Sequence, residues 1–238
     1  MKKIVLADPG NLPPIEVTDK SGAAEPAIIL PPYWDDACKH LVKKDRVMKR
    51  LIPQFGNTCL QSRGDAFSTL ARSIVGQQIS VKAAQTVWNR FVALPLEMTP
   101  AHVLRLKIDD MRAAGLSARK VEYLVDLSIH FDAGRVHVRD WQAMDDEAII
   151  AELVAIRGIG RWTAEMFLMF YLTRPNVLPL DDVGLINGIS RNYFSGESVS
   201  RSDAREVAAA WTPYCSVATW YIWRSLDPQV PVVVPGGI

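Results

Sequence analysis

The sequence predicts an all-α protein in two helical lobes with a cleft between them, and three observations predict it. Apolar residues recur at helical spacing: Trp34, Ala37, Cys38, Leu41 and Val42 stand at i, i+3, i+4, i+7 and i+8, and Phe67, Leu70, Ala71, Ile74 and Val75 repeat the pattern. The stretch from Arg161 to about Leu172 is apolar nearly all round, which requires burial, and it is too short to span a membrane. No segment reads as sheet. At 238 residues with 49% hydrophobic content, the chain can bury a substantial core, as one compact domain or two small lobes.

Taken in order, residues 1–32 carry Pro, Gly, Ala and scattered charge without a period, and read as an extended or disordered lead-in. The foldable region is 33–227. One lobe is expected to combine 33–66 with 175–227, and the other to hold 67–174. Helices are expected from near Trp34, from Asp45 through Leu51, and over the 67–75 repeat with Asp65 as its cap. Gly76 ends that helix and Ser80 caps the next, which runs to about Phe91. Thr99-Pro100 opens a helix to about Leu106. Asp109-Asp110 opens another, ending at Gly115, and Ser117 caps a helix whose face is Val121, Leu124, Val125 and Ser128. Acidic residues Asp145-Asp146-Glu147 start a helix running to about Ala155. After Asp182 the chain is helical through Ile189. Ser202-Asp203 caps a helix through Ala210, and Ser216 to Arg224 forms the last. Residues 228–238 are Pro/Gly-rich and read as a loose tail.

Composition narrows the function classes. There are 27 Lys and Arg against 26 Asp and Glu, a net charge of +1, so bulk charge does not announce nucleic acid. Segments 61–90, 101–120 and 155–174 are locally basic, and either form one face for a phosphate backbone or are solvated helix faces. Cys38, Cys59 and Cys215 are widely spaced, against both a disulfide framework and a zinc site. No secretory signal or spanning segment is visible, and a cytosolic location is expected. His40, His102, His130 and His137 are scattered and read as surface residues.

The stretch with the most chemistry is 153–185. Ala155-Ile156-Arg157-Gly158-Ile159-Gly160 is a tight glycine turn directly before a helix start. Glycines there permit a positive φ or close approach of a ligand, and the free N–H groups at the positive helix end suit a phosphate. An ordinary interhelix turn is the plain alternative. No strand-like run precedes it, against a dinucleotide-binding loop. Arg174-Pro175-Asn176 then breaks the helix, and Asp181 and Asp182 follow. Either aspartate can cap the helix beginning near Val183.

Ile156-Arg157-Gly158-Ile159-Gly160-Arg161-Trp162-Thr163-Ala164, with Asp182 22 positions past Gly160, resembles the helix-hairpin-helix DNA glycosylase superfamily. Within it the chain is most similar to the alkylated-base branch, 3-methyladenine DNA glycosylase II, in a minimal form without the N-terminal β-rich domain. The similarity covers about residues 33–226.

The resemblance implies a monofunctional enzyme. Asp182 matches the essential aspartate, which stabilises an oxocarbenium-like transition state, while Asp181 is a cap or DNA-adjacent support. Trp162 occupies the position where bifunctional members carry a Schiff-base lysine, so no lyase activity is expected. Trp162, Met166 and Trp223 match pocket positions, although Trp162 and Met166 also suit plain core. Gly158, Gly160, Arg161 and Thr163 would hold DNA phosphate, with a monovalent ion at the hairpin as in relatives. Gln78, in Ile74-Val75-Gly76-Gln77-Gln78-Ile79-Ser80, matches the residue that fills the gap left by a flipped nucleotide. Lys120 either reaches phosphate or is a surface lysine.

The implied partner is double-stranded DNA with damaged bases, bound by a monomer, with no cofactor and no catalytic metal. The implied reaction is hydrolysis of alkylated purines such as 3-methyladenine and 7-methylguanine. A glycosylase for deaminated or oxidised purine and a non-catalytic DNA-binding module are the alternatives.

Overall fold

The computed structural model describes residues 31–226 apart from 56–58, 61 and 63. The expected lead-in and tail therefore lie almost wholly outside the described residues. Among those described there is no strand. The helices are α1 (Trp34–Lys44), α2 (Arg46–Leu51), α3 (Ala66–Gly76), α4 (Val81–Val92), α5 (Pro100–Val103), α6 (Ile108–Ala113), α7 (Ala118–Asp132), α8 (Asp146–Val154), α9 (Arg161–Phe170), α10 (Val183–Tyr193), α11 (Arg201–Ala208) and α12 (Cys215–Arg224). None of these is long and apolar enough to cross a membrane.

The chain divides into two compact units. One spans Ser62–Leu172, and the other takes the described residues before Ser62 together with those from Thr173 onward. In the first unit α3 packs on α4, α7 and α9, while α5 and α6 pack on α7 and α8 packs on α9. Its core is an aromatic chain: Phe67 meets Phe131 edge-on at 5.4 Å, Phe131 meets Trp141 at 6.4 Å, and Trp141 meets Phe167 at 5.3 Å. Such edge-to-face pairs add to the burial itself. The fully buried Trp141 has its indole N–H satisfied by Glu152 Oε2 at 2.8 Å. Glu152 Oε1 in turn bonds the exposed His137 ring at 2.6 Å.

The second unit packs α1 on α2 and α12, α2 on α12, and α10 on α11 and α12. Trp34 meets Trp220 edge-on at 5.6 Å. α10 and α12 approach closely at Gly188, where a Cβ would stand 2.2 Å from Ile222 Cγ2. Asp45 organises a polar cluster within this core. Its Oδ1 accepts the N–H groups of Val47 at 2.7 Å and Met48 at 3.0 Å, capping α2. Its Oδ2 accepts the Tyr193 hydroxyl at 2.6 Å and the Trp211 indole N–H at 2.9 Å. A buried carboxylate is tolerable only with such full pairing.

The helix caps follow local chemistry. Asp65, Ser80, Thr99 and Ser117 each accept a backbone N–H from the first turn of their helix, satisfying one of the donors a helix start leaves free. Three expectations are corrected. The cap of α11 is Ser200, not Ser202-Asp203: Ser200 and Asp203 form a reciprocal capping box that closes two residues earlier. α5 ends at Val103 rather than near Leu106. Of the four histidines only His137 is exposed; His40, His102 and His130 are half-buried. His40 stacks edge-on with Tyr214 at 5.5 Å, and His102 Nδ1 bonds the capping hydroxyl of Thr99 at 2.8 Å.

Candidate functional site

The glycine turn joins α8 to α9 and is anchored from within by Ile156 and Ile159, both buried. Ile159 N–H closes the turn on Ile156 carbonyl at 3.1 Å. Gly158 has φ +88, and a Cβ built on it would stand 2.2 Å from the Tyr123 ring, so both its conformation and its packing require glycine. Gly160 differs. Its φ is −91, and nothing lies within 4 Å of where its Cβ would be. The protein itself places no demand for glycine there. A ligand lying against the backbone would.

Gly160 is the N-cap of α9 and offers no side-chain cap. The amide N–H groups of Gly158, Gly160 and Arg161 have no acceptor among the described residues. Exposed donors at a helix N-terminus, in the positive field of the helix, form an anion site.

The side chains after the turn are deployed unevenly. Arg161 is held by acids: its guanidinium bonds Glu147 through two nitrogens, and its Nε donates to Glu165 Oε1 at 3.0 Å. Its proton is held more tightly than usual, chiefly through the Glu147 bond, which also depresses the Glu147 carboxyl. Thr163, expected at DNA, is only 7% exposed. Trp162 is half-buried, and Met166, one turn further on, is 8% exposed. The two lie on the same side of α9, as i and i+4 must.

The α3–α4 loop lies in the same unit. Gln78 is exposed with φ 58, a left-handed conformation uncommon outside glycine, and Ile79 beside it is 36% exposed. Lys120, named as a candidate for phosphate, is half-buried and donates from Nζ to the Val75 carbonyl at 2.7 Å. Burial lowers its pKa from the ordinary lysine value. An ammonium has two further donors, but one is committed to the protein.

Asp182 and Trp223 lie in the second unit. Asp182 is 1% exposed. Its Oδ1 accepts the Leu185 N–H at 2.6 Å, capping α10, and the Trp223 indole N–H at 2.8 Å. One carboxylate oxygen thus both caps α10 and holds the Trp223 indole. Asp181 does not cap: it is half-exposed and ion-paired with Arg201. Two features were missing from the sequence reading: the Trp223–Asp182 bond and the Gln77 bond to the hairpin, where Nε2 donates to the Gly158 carbonyl at 2.8 Å. Neither has a local sequence signal. No group of three or more His, Cys, Asp or Glu that could hold a metal occurs among the described residues.

Helices throughout the described residues, a glycine hairpin presenting amides at a helix start, and a buried aspartate capping the next helix are the features of a helix-hairpin-helix protein. The chain belongs to the HhH-GPD superfamily of base excision DNA repair proteins, whose family signature matches residues 71–213. A putative DNA-3-methyladenine glycosylase of Bacillus subtilis is 30% identical over 82% of this chain and 71% of the relative. The crystal structure of a DNA-3-methyladenine glycosidase from Bacillus halodurans is 34% identical, with a TM-score of 0.76 over 81% of this chain and 89% of that one. A Schizosaccharomyces pombe 3-methyladenine DNA glycosylase in complex with abasic DNA is 29% identical, with a TM-score of 0.73 over 82% of this chain and 98% of that one.

Proposed function

We propose that this chain is a monofunctional DNA glycosylase that hydrolyses the N-glycosidic bond of alkylated purines, of the 3-methyladenine and 7-methylguanine type, in duplex DNA. The observation that carries this reading is Asp182, a buried carboxylate fixed by two N–H donors on Oδ1 in a chain with tryptophan, not lysine, at 162.

The chemistry needs little else. The base is drawn out of the stack, and the hairpin amides at Gly158, Gly160 and Arg161 take a phosphate. The glycosidic C–N bond breaks with its electron pair leaving on the base. An alkylated purine is already cationic, so it departs neutral without a strong general acid. Positive charge grows on the sugar ring, and the Asp182 carboxylate, oriented before the reaction begins, stabilises it. Water then adds to the anomeric carbon and releases a proton, leaving an abasic site. Lacking an amine at position 162 to form a Schiff base, the enzyme leaves the backbone intact. The Trp162 indole face attracts the cationic base by about 0.5–2 kcal/mol. Gln78, exposed at the loop tip, fills the vacated base step. The enzyme acts as a monomer.

Incubating methylated duplex with the protein and measuring free base tests this reading. Release of 3-methyladenine and 7-methylguanine with an intact abasic strand is expected. No release under conditions where the duplex binds overturns it, and release from only deaminated or oxidised purine in a panel of single-lesion duplexes replaces the specificity.

A further inference from the structure

The α3–α4 loop and the hairpin turn are fastened to one helix and to each other. α7 carries Lys120, Tyr123 and Asp126 at i, i+3 and i+6, along one side of its surface. Lys120 Nζ donates to the Val75 carbonyl at 2.7 Å, one of the last carbonyls of α3, which a helix end leaves without a partner. The Tyr123 ring lies directly against Gly158, in the space a Cβ would need. Asp126 Oδ2 accepts the Arg157 N–H at 2.8 Å. The circuit is closed without α7 by Gln77, whose Nε2 donates to the Gly158 carbonyl at 2.8 Å, bridging 81 positions of sequence.

Gln77 is the C-cap of α3 and directly precedes the exposed, left-handed Gln78. Its amide therefore ties the residue next to the loop tip to the turn that presents the hairpin amides. These four contacts hold two short turns in a fixed register.

From this geometry we infer that Gln77 is a positioning residue: its side chain locks the α3–α4 loop to the hairpin, on a ledge formed by Lys120, Tyr123 and Asp126, so that both turns meet DNA as one rigid element. The inference rests on the DNA glycosylase reading above. In DNA-free protein it makes a claim that stands apart from turnover: the hairpin is quieter because Gln77 holds it.

Gln77→Met keeps the length of the side chain and removes the donor. Hydrogen exchange at the Arg157 and Ile159 amides, the two hydrogen-bonded amides of the turn, is expected to quicken about two- to tenfold in DNA-free protein, the worth of one net hydrogen bond. Exchange in α9 beyond its first turn should stay as in the wild type. Affinity for a duplex carrying a stable abasic-site analogue should weaken by a similar factor. Single-turnover release at saturating enzyme should stay within about twofold, because the Asp182 end is untouched. Gln77→Asn, one methylene shorter, should reproduce the result and serves if the methionine variant folds poorly. Unchanged hairpin exchange in both variants overturns the inference, and so does a uniform rise across α3, α7 and α9, which would mark general destabilisation. A wild-type protein that releases no base overturns the glycosylase reading instead, and leaves the exchange result to judge the lock alone.

Discussion

The indole N–H of Trp223 donates to the carboxylate of Asp182 across 2.8 Å, on the same oxygen that caps α10. The bond joins α12 to the start of α10 and fixes the carboxylate in orientation. A tryptophan that lines a base pocket only by its face has no need of this bond. Here the ring edge is also committed, so Trp223 is expected to act on the reaction through Asp182 as well as on the base.

Trp223→Phe keeps an aromatic ring and removes the donor. Single-turnover base release is expected to fall about tenfold or more, in line with losing a hydrogen bond to a charged acceptor. Affinity for abasic-analogue duplex should change less than about threefold. A variant that releases base at the wild-type rate would show that the bond does not orient the carboxylate.

Asp182→Asn separates the proposed catalytic role of that side chain from its capping of α10. Asparagine caps helices about as well as aspartate, so the melting midpoint should move little. The negative charge is lost, and release should fall about 100-fold or more, the scale of removing one preorganised electrostatic contact, while duplex binding persists. Measuring both on one preparation decides between a catalytic carboxylate and a cap alone.

The two hairpin glycines should behave oppositely. Gly158→Ala forces a methyl onto the Tyr123 ring at a φ of +88 and should destabilise the fold by about 1–3 kcal/mol. Gly160→Ala meets nothing within 4 Å, so denaturant unfolding should shift by less than about 0.5 kcal/mol. On the proposed function its methyl would stand where DNA approaches the amides, and duplex affinity should drop. A Gly160→Ala protein that binds duplex as the wild type does would move the phosphate site elsewhere.

The His137–Glu152 pair sets a small pH dependence of stability. The Glu152 bond, then its charge, raises His137 above its ordinary 6.5. That contribution is full below 6.5 and is lost as pH rises through the raised value. For Glu152, burial pushes upward, but the bonds from Trp141 and His137 outweigh it and bring the group below its ordinary 4.5. Its contribution is full above 4.5 and is lost as pH falls through the lowered value. The stability advantage of the wild type over His137→Gln should therefore be greatest between about pH 4.5 and 6.5 and shrink above it, read as a difference in melting midpoint. A difference that grows towards pH 8 contradicts this.

Much of the fold was legible because its signals are local. The 3.6-residue period of α1 and α3, the caps Asp65, Ser80 and Ser117, and the all-round apolarity of α9 each lie within one or two turns of sequence. The α11 cap has a local signal as well, since Ser200 and Asp203 stand at capping-box spacing. What could not be read is chemistry between distant positions. Gln77 and Gly158 are 81 apart, Lys120 and Val75 45, Trp223 and Asp182 41. No periodicity marks a glutamine that will reach a carbonyl far along the chain, or distinguishes a solvated lysine from one turned onto a helix end. The same holds for His40, whose ring meets Tyr214 far along the chain.

The second unit is drawn from both sides of the first. α1 and α2 are synthesised early, yet the helix they pack on, α12, is among the last described. The Ser62–Leu172 unit is continuous and closes its contacts at shorter range. During synthesis it can therefore be complete while α1 and α2 still lack α12, with Trp34 uncovered until Trp220 arrives. Domains fold as units while the chain grows, so the unit that carries the hairpin can assemble before the unit that carries Asp182 receives α12.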